Sequence, residues 1–261
     1  MTKKTLVLYV FHEYNDRVDI FLNNAIFKDD NLHFMIICNN LDLESKIPIH
    51  LKSILLNLGV KFIIRDNIGY DFGGWSDALL TNELYKEYDN FIFANSSIIG
   101  PYMSSYPNNK WTNIFINSLD NEVKLFGCTI NTLNDTIHRS HIQSYLFSMN
   151  QETLKYLIDC EIFSLTNIAQ TFGDAVWNKE VLMSRKIIEK GWNIGCTCKK
   201  LNGVDYTFNK VPFHEIGFEF HADVTKYEFY LGQYWTPNEV IFIKGNKWSV
   251  KEEDLNIFKR S

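Results

Sequence analysis

Asp66-Asn67-Ile68-Gly69-Tyr70-Asp71-Phe72-Gly73-Gly74-Trp75 sets three glycines within ten residues, directly after the β-rich run Val60 to Ile64. Downstream, Tyr88-Asp89-Asn90-Phe91-Ile92-Phe93-Ala94-Asn95-Ser96-Ser97-Ile98-Ile99-Gly100-Pro101 reads as an apolar strand that ends in three small polar residues and then Gly-Pro. A helix is expected between them, from about Gly74 to Lys86. Strand, glycine-bearing turn, helix and strand make a βαβ unit of a mainly parallel sheet. Glycine lets backbone approach a ligand closely, and a helix N-terminus offers free N–H groups to a phosphate or sugar hydroxyl. The spacing matches neither the dinucleotide G-x-G-x-x-G nor a P-loop.

The same alternation extends outward. Thr5 to His12 is a β-rich apolar run, and Asp16 to Phe27 carries Val18, Phe21, Leu22, Ala25 and Ile26 at helical spacing. Leu32 to Cys38 reads as a second strand and Ile49 to Leu58 as a helix stopped by Gly59. In such sheets ligands bind at the C-terminal strand ends, near a switch in strand order. His12 to Asn15, Asn39 and Asn40, Asp66 to Gly74, and Asn95 to Pro101 all meet that rule. Further on, Val123 to Ile130 and His141 to Met149 are expected as strands, Gln151 to Cys160 and Asp174 to Lys190 as helices. Trp192 to Cys198 follows as a strand, and an aromatic, loop-rich stretch leads to a last short strand at Glu239 to Lys244. With neither repeat nor linker, residues 1–261 are expected to form one domain.

Composition narrows the function. An apolar share of 46% in 261 residues can bury a sizeable core, which excludes a disordered chain or a disulfide-stapled miniprotein. The net charge of −5 comes without any Lys/Arg run, so no nucleic-acid partner is expected. No apolar window is long enough for a transmembrane segment, and MTKK-TLVLYVFH reads as a first strand rather than a signal peptide. Five scattered cysteines suit reduced thiols and a cytoplasmic setting, with peripheral membrane association left open. Cys196 and Cys198 form a C-x-C without the second pair that a zinc site needs.

The two blocks N-x-G-x-D-F-G-x-W and Y-D-x-(apolar)-x-x-x-N-x-S-x-x-G-P resemble the rhamnan-synthesis F family of bacterial and viral glycosyltransferases. Phe126-Gly127 followed by His141-Ile142-Gln143-Ser144-Tyr145, Glu180 to Ser184, and Pro237 to Lys244 are similar to further blocks of that family. The resemblance covers most of the chain from Asn67 onward. It implies a GT-A type, Rossmann-like α/β fold. It also implies transfer of a hexose or deoxyhexose, rhamnose among them, from a UDP- or dTDP-linked sugar to a glycan acceptor, with inversion. Residues 1–130 would then form the nucleotide-sugar-binding half, and 131–261 the acceptor-binding half with a closing C-terminal segment.

Inversion needs a carboxylate to deprotonate the acceptor hydroxyl. Glu180, in E-V-x-x-S, and Asp174, six residues earlier, are the candidates; Asp174 also reads as a helix cap. The donor would lie against Val10, His12, Asn67, Gly69, Asp71, Gly74, Asn95, Ser96, Ser97 and Lys244, and the acceptor against His141, Gln143 and Tyr145. Trp75, Trp177 and Trp235 are candidates for stacking on sugar rings. One departure matters. Asn95-Ser96-Ser97 stands where the family tends to have Asn-Asp-Ser, so the DxD-type acid that would hold Mn or Mg is missing. A metal held by other groups, metal-free catalysis with Lys244, His214 or His221 on the diphosphate, and lost activity all stay open. The last would leave a non-catalytic saccharide- or nucleotide-binding domain. A Rossmann-like methyltransferase or reductase would need a glycine fingerprint where His12-Glu13-Tyr14-Asn15 stands.

Overall fold

Every residue of Thr5–Phe11 is buried, as a strand covered on both faces requires, and this strand (β1) lies in the interior of the sheet. The structure, a computed structural model, describes residues 2–42, 46–106, 108–132, 140–201, 203–209, 229–230, 233–234, 236–246 and 256–258. The first part of the chain alternates as expected: α1 (Asp16–Asn24), β2 (Leu32–Cys38), α2 (Ile49–Asn57), β3 (Lys61–Ile64), α3 (Tyr70–Leu80) and β4 (Asn90–Asn95). There follow β5 (Ile98–Ile99), α4 (Trp111–Asn117), β6 (Val123–Gly127), β7 (Ile130–Asn131), β8 (His141–Ile142), β9 (Leu146–Asn150) and α5 (Gln151–Asp159). The last described elements are α6 (Phe172–Asp174), α7 (Leu182–Glu189), β10 (Asn193–Cys196), β11 (Phe229–Tyr230), β12 (Gln233–Tyr234), α8 (Pro237–Val240) and β13 (Ile243–Lys244).

Seven strands form the central sheet in the order β10-β6-β9-β4-β1-β2-β3. Its neighbours pair in parallel except for β9, which runs antiparallel to both β4 and β6. This is the mainly parallel, helix-flanked α/β architecture expected from the sequence. The chain builds outward from β1 to β2 and β3, then crosses back through α3 to β4 on the other side of β1. The C-terminal ends of β1 and β4 therefore flank the strand-order switch, where open α/β sheets bind ligands.

Several boundaries differ from expectation: the strand expected at Glu239 to Lys244 is helical (α8) up to Val240 and a strand only at Ile243–Lys244, and three further differences bear on the site. α3 begins at Tyr70, not Gly74, because Gly69 (φ 77°) and Tyr70 (φ 56°) turn the chain through the left-handed region and start the helix early. The run from His141 is interrupted at 143–145, so β8 pairs with β7 and only β9 joins the main sheet. The helix expected from Asp174 is a π-helix over Ala175–Val181 between α6 and α7.

The D-F-G-x-W block is mainly a packing device. Gly74 faces β1 and β2, and a Cβ there would lie 3.0 Å from Val10 Cγ2, 3.2 Å from Ile37 Cγ2 and 2.9 Å from Asn39 Oδ1. Phe72 and Trp75 are buried and meet edge to face at 5.2 Å, and Trp75 packs edge-on against Phe93 and Phe147. Phe93 of β4 stacks on Phe147 of β9 with centroids 4.8 Å apart. Burial of such rings is worth roughly 1.5–3 kcal/mol each, which fixes α3 on the sheet and so aims Asp71. Trp75 is thus a core residue rather than a sugar platform.

Candidate active site

Among the described residues, clefts of similar size open at opposite ends of the strands. One, of about 550 Å³, lies by Asn90 and Lys124, at the N-terminal ends of β4 and β6. The other, of about 470 Å³, lies at the C-terminal ends of β1 and β4, where His12, Asn67, Asp71, Asn95, Ser96, Ser97, Glu180 and Lys244 converge. Strand polarity selects the second.

Its floor is a chain of hydrogen bonds. Asn95 Nδ2 donates to Asp71 Oδ2 at 2.8 Å, and Asn95 Oδ1 accepts from Ser97 N at 3.0 Å. Burial pushes the Asp71 carboxyl up to about 6, outweighing the lowering effects of the Asn95 bond and of His12 and Lys244. Asn39, at the end of β2, braces the turn from beneath. Its amide donates to Tyr70 O at 3.0 Å while its oxygen accepts from Arg65 Nη1 at 2.8 Å. Gly69 is required in this turn, since its φ is 77° and a Cβ would meet Gly73 Cα at 3.0 Å.

Glu180 enters from the π-helix. Its Oε2 accepts from Ser144 N at 2.7 Å and from the Ser144 hydroxyl, and its Oε1 lies 3.6 Å from His141 Nε2. Ser184, one turn later, accepts from Ile142 N at 3.0 Å. The H-I-Q-S-Y and E-V-x-x-S blocks are therefore partners: the first supplies donors, the second the acceptors. On the neighbouring position, Lys179 turns inward and donates to Glu161 O at 2.7 Å and Asn167 O at 2.6 Å, so burial lowers its pKa. Residues 179 and 180 thus face opposite ways, one into the protein and one into the cleft. Local π-helix, often found at functional sites, sets that register.

The C-terminal block closes the other wall. Phe242 packs on Trp111 at 5.0 Å, Tyr102 N donates to Ile241 O at 2.8 Å, and β13 pairs antiparallel with β5, setting Lys244 opposite Ile98. Lys244 Nζ sits 6.0 Å from the centre of the Tyr145 ring.

Several expected site residues lie elsewhere. Asp174 does not line the cleft. Its carboxylate closes a capping box with Thr171, accepts from Thr171 N and Gln170 N, and is held below the ordinary range by those bonds. Val10 and Gly74 are interior contacts between β1 and α3 rather than donor contacts. Gln143 and Tyr145 are buried behind the cleft, where the Thr129 hydroxyl donates to Gln143 Oε1 at 2.8 Å and lies 2.9 Å from Tyr145 Oη. His141 is buried beside Glu180 and touches it rather than the opening. Gly69 shapes the turn without lining the cleft. Cys196 and Cys198 are buried away from the cleft, and burial pushes the Cys196 thiol up to about 12. Trp177 is exposed outside the cleft, and His214, His221 and Trp235 lie outside the described residues.

Sequence reasoning missed Arg17, Tyr70, Ser144, Phe172 and Asn246, all in the cleft wall. Arg17 had a signal: a cation in the first turn of a helix opposes the helix dipole and needs another reason to be there. Its Nε donates to Ser96 O at 3.0 Å. Phe172 is 72% exposed and meets Tyr70 edge-on at 6.5 Å, forming an aromatic lip.

The residues that replace a DxD motif do not fit a divalent ion. Asn95 turns its amide N–H groups, not a lone pair, toward Asp71, and Ser96 and Ser97 bring no carboxylate. Among the described residues no three His, Cys, Asp or Glu side chains converge as a ligand set. Among them, too, no helix is long and apolar enough to cross a membrane.

Comparison with solved structures finds partial likeness to glycosyltransferases. The glycosyltransferase GlyE of Streptococcus pneumoniae TIGR4 aligns with 80% of this chain at a TM-score of 0.42 and 15% identity. Its apo form aligns with 75% at 0.38 and 15% identity, and the bifunctional glycosyltransferase WbbM, apo, with 62% at 0.35 and 13% identity. The chain spans 50%, 45% and 34% of those three proteins. No curated protein matches it by sequence. The family profile of rhamnan synthesis protein F matches residues 34–222, which takes in the Asp71 turn, the Asn95 strand end, the Ser144 segment and the Glu180 helix. The chain belongs to the rhamnan synthesis protein F family.

Proposed function

We propose that the chain is a glycosyltransferase that moves a hexose or deoxyhexose, rhamnose among the candidates, from a UDP- or dTDP-linked sugar to a glycan acceptor with inversion. The observation that carries this is Glu180, held by Ser144 on the wall of a cleft whose floor is Asp71 and Asn95. Single displacement needs one carboxylate fixed beside the acceptor hydroxyl and a cradle for the leaving diphosphate on the far side of the sugar. Glu180 is the base: it takes the acceptor proton as the hydroxyl oxygen bonds to the anomeric carbon and the sugar–phosphate bond breaks. Asp71 and Asn67 are placed to receive hydroxyls of the donor sugar or ribose. His12, Ser96, Ser97 and Lys244 line the side on which the nucleotide leaves. Phe172 and Tyr70, at the rim, suit the apolar face of a sugar ring.

The loss of the DxD acid favours a second reading, a domain that binds nucleotide sugars without turning them over. A screen of UDP- and dTDP-sugars, following thermal shift and nucleotide release with a glycan acceptor present, separates the two. Thermal shift with turnover supports the enzyme and shift without turnover the binding domain. No shift with any nucleoside diphosphate contradicts both.

A further inference from the structure

Among the described residues, three basic side chains, His12, Arg17 and Lys244, line the cleft, with two carboxylates, Asp71 and Glu180. Both acids are already engaged, Asp71 by Asn95 and Glu180 by Ser144. The cations have no such acidic partner among the described residues. Elsewhere Arg65 is paired with Asp77 at 3.1 Å, Lys110 with Asp29 at 2.5 Å and Lys124 with Glu152 at 3.0 Å. Neither Arg17 nor Lys244 has a carboxylate within 4.0 Å among the described residues.

Arg17 is positioned rather than loose. Its Nε is fixed on Ser96 O, and its stem runs against Gly245, where a Cβ would come within 3.0 Å of Arg17 Cδ. Gly245 N in turn donates to Ser97 O at 2.6 Å, so α1, the Ser96–Ser97 turn and the segment after β13 are tied together. That arrangement leaves the terminal nitrogens of Arg17 available as a planar fork, and Lys244 as a point charge on the adjoining strand. A fork and a point charge are the groups that suit a diphosphate.

We propose that this cleft holds the diphosphate of its nucleotide directly on Arg17 and Lys244, with no divalent cation between protein and phosphate. The inference rests on the glycosyltransferase reading for the identity of the ligand, but binding tests it apart from turnover. The two cations offset the charge that accumulates on the nucleoside diphosphate as the glycosidic bond to phosphate breaks. His12, on the end of β1, adds a third donor beside them.

Calorimetric titration of the whole chain with UDP and with dTDP, in excess EDTA and in Mn²⁺, tests this. The dissociation constants are expected to agree within about twofold between the two conditions, and Arg17→Ala or Lys244→Ala to weaken binding roughly 10- to 100-fold. Arg17→Lys is expected to fall between wild type and Arg17→Ala, with circular dichroism melts showing that each variant is folded. Binding that requires Mn²⁺ overturns the direct clamp while leaving the transferase reading in place. Tight binding in EDTA that neither alanine substitution weakens also overturns the clamp. No binding of either nucleotide under any condition overturns the clamp and the transferase reading together.

Discussion

The side-chain amide of Asn95 donates to Asp71 Oδ2 at 2.8 Å, joining the end of β4 to the first turn of α3. Here an amide neutralises the contact by a hydrogen bond, and Ser97 fixes the amide's orientation by donating to its oxygen. The strand end and the glycine turn thus form one polar floor.

That floor has a pH signature. Burial raises Asp71 from 3.8 to about 6, so between those values the folded chain keeps a proton that the unfolded chain releases. Stability therefore falls as pH rises through that window. Asp71→Asn removes the ionisation and is expected to stabilise the protein by about 1–3 kcal/mol near pH 7.5, with the gain vanishing below about pH 4. Thermal melts across that range check it, and a difference between the two proteins that does not change with pH contradicts it.

Gly74→Ala pushes a methyl group into Val10, Ile37 and Asn39 and is expected to cost about 1–3 kcal/mol. Gly173→Ala is the contrast. The nearest atom to its Cβ is Thr171 Oγ1 at 3.6 Å, and the change is expected to be neutral or to stabilise by up to ~1 kcal/mol. Urea denaturation of both variants measures the difference; equal midpoints contradict the packing role given to Gly74.

How far the sequence could be read follows from the range of each signal. β1, β2 and β4 are runs of apolar residues, and their ends show as His12, Asn39 and Asn95 because polarity changes within one residue. The helix start at Tyr70 was hidden, because a tyrosine at φ 56° is not an ordinary way to begin a helix. The π-helix was hidden too, since its Lys179 bonds carbonyls of Glu161 and Asn167, contacts that no local sequence pattern shows. That register decides between the two acids: it sends Glu180 to the cleft, while Asp174 is used up in its cap. Gln143 and Tyr145 were legible as a motif but not as interior residues, because a two-residue β8 gives too little alternation to tell its faces apart.

The two acids separate in function. Asp174→Ala is expected to lower the melting temperature through loss of the capping box while leaving kcat within about twofold of wild type. A kcat loss of a hundredfold in this folded variant contradicts the assignment of Asp174 to the cap.

Ser144 acts on Glu180 through hydrogen bonds and is a positioning residue. Ser144→Ala removes the hydroxyl donor but keeps the backbone N–H, and is expected to lower kcat roughly tenfold with KM for donor little changed. Ser144→Thr, which retains the hydroxyl, is expected to recover part of the loss. A rise in donor KM at constant kcat would instead place Ser144 in donor binding.

The most direct test of Glu180 as base is one comparison: donor affinity and single-turnover transfer for wild type and Glu180→Gln. Glutamine keeps the shape and can still accept from Ser144, but it cannot take the acceptor proton. The expected result is a donor dissociation constant within about threefold of wild type and transfer slowed by about 100-fold or more. Transfer at the wild-type rate by Glu180→Gln contradicts the account.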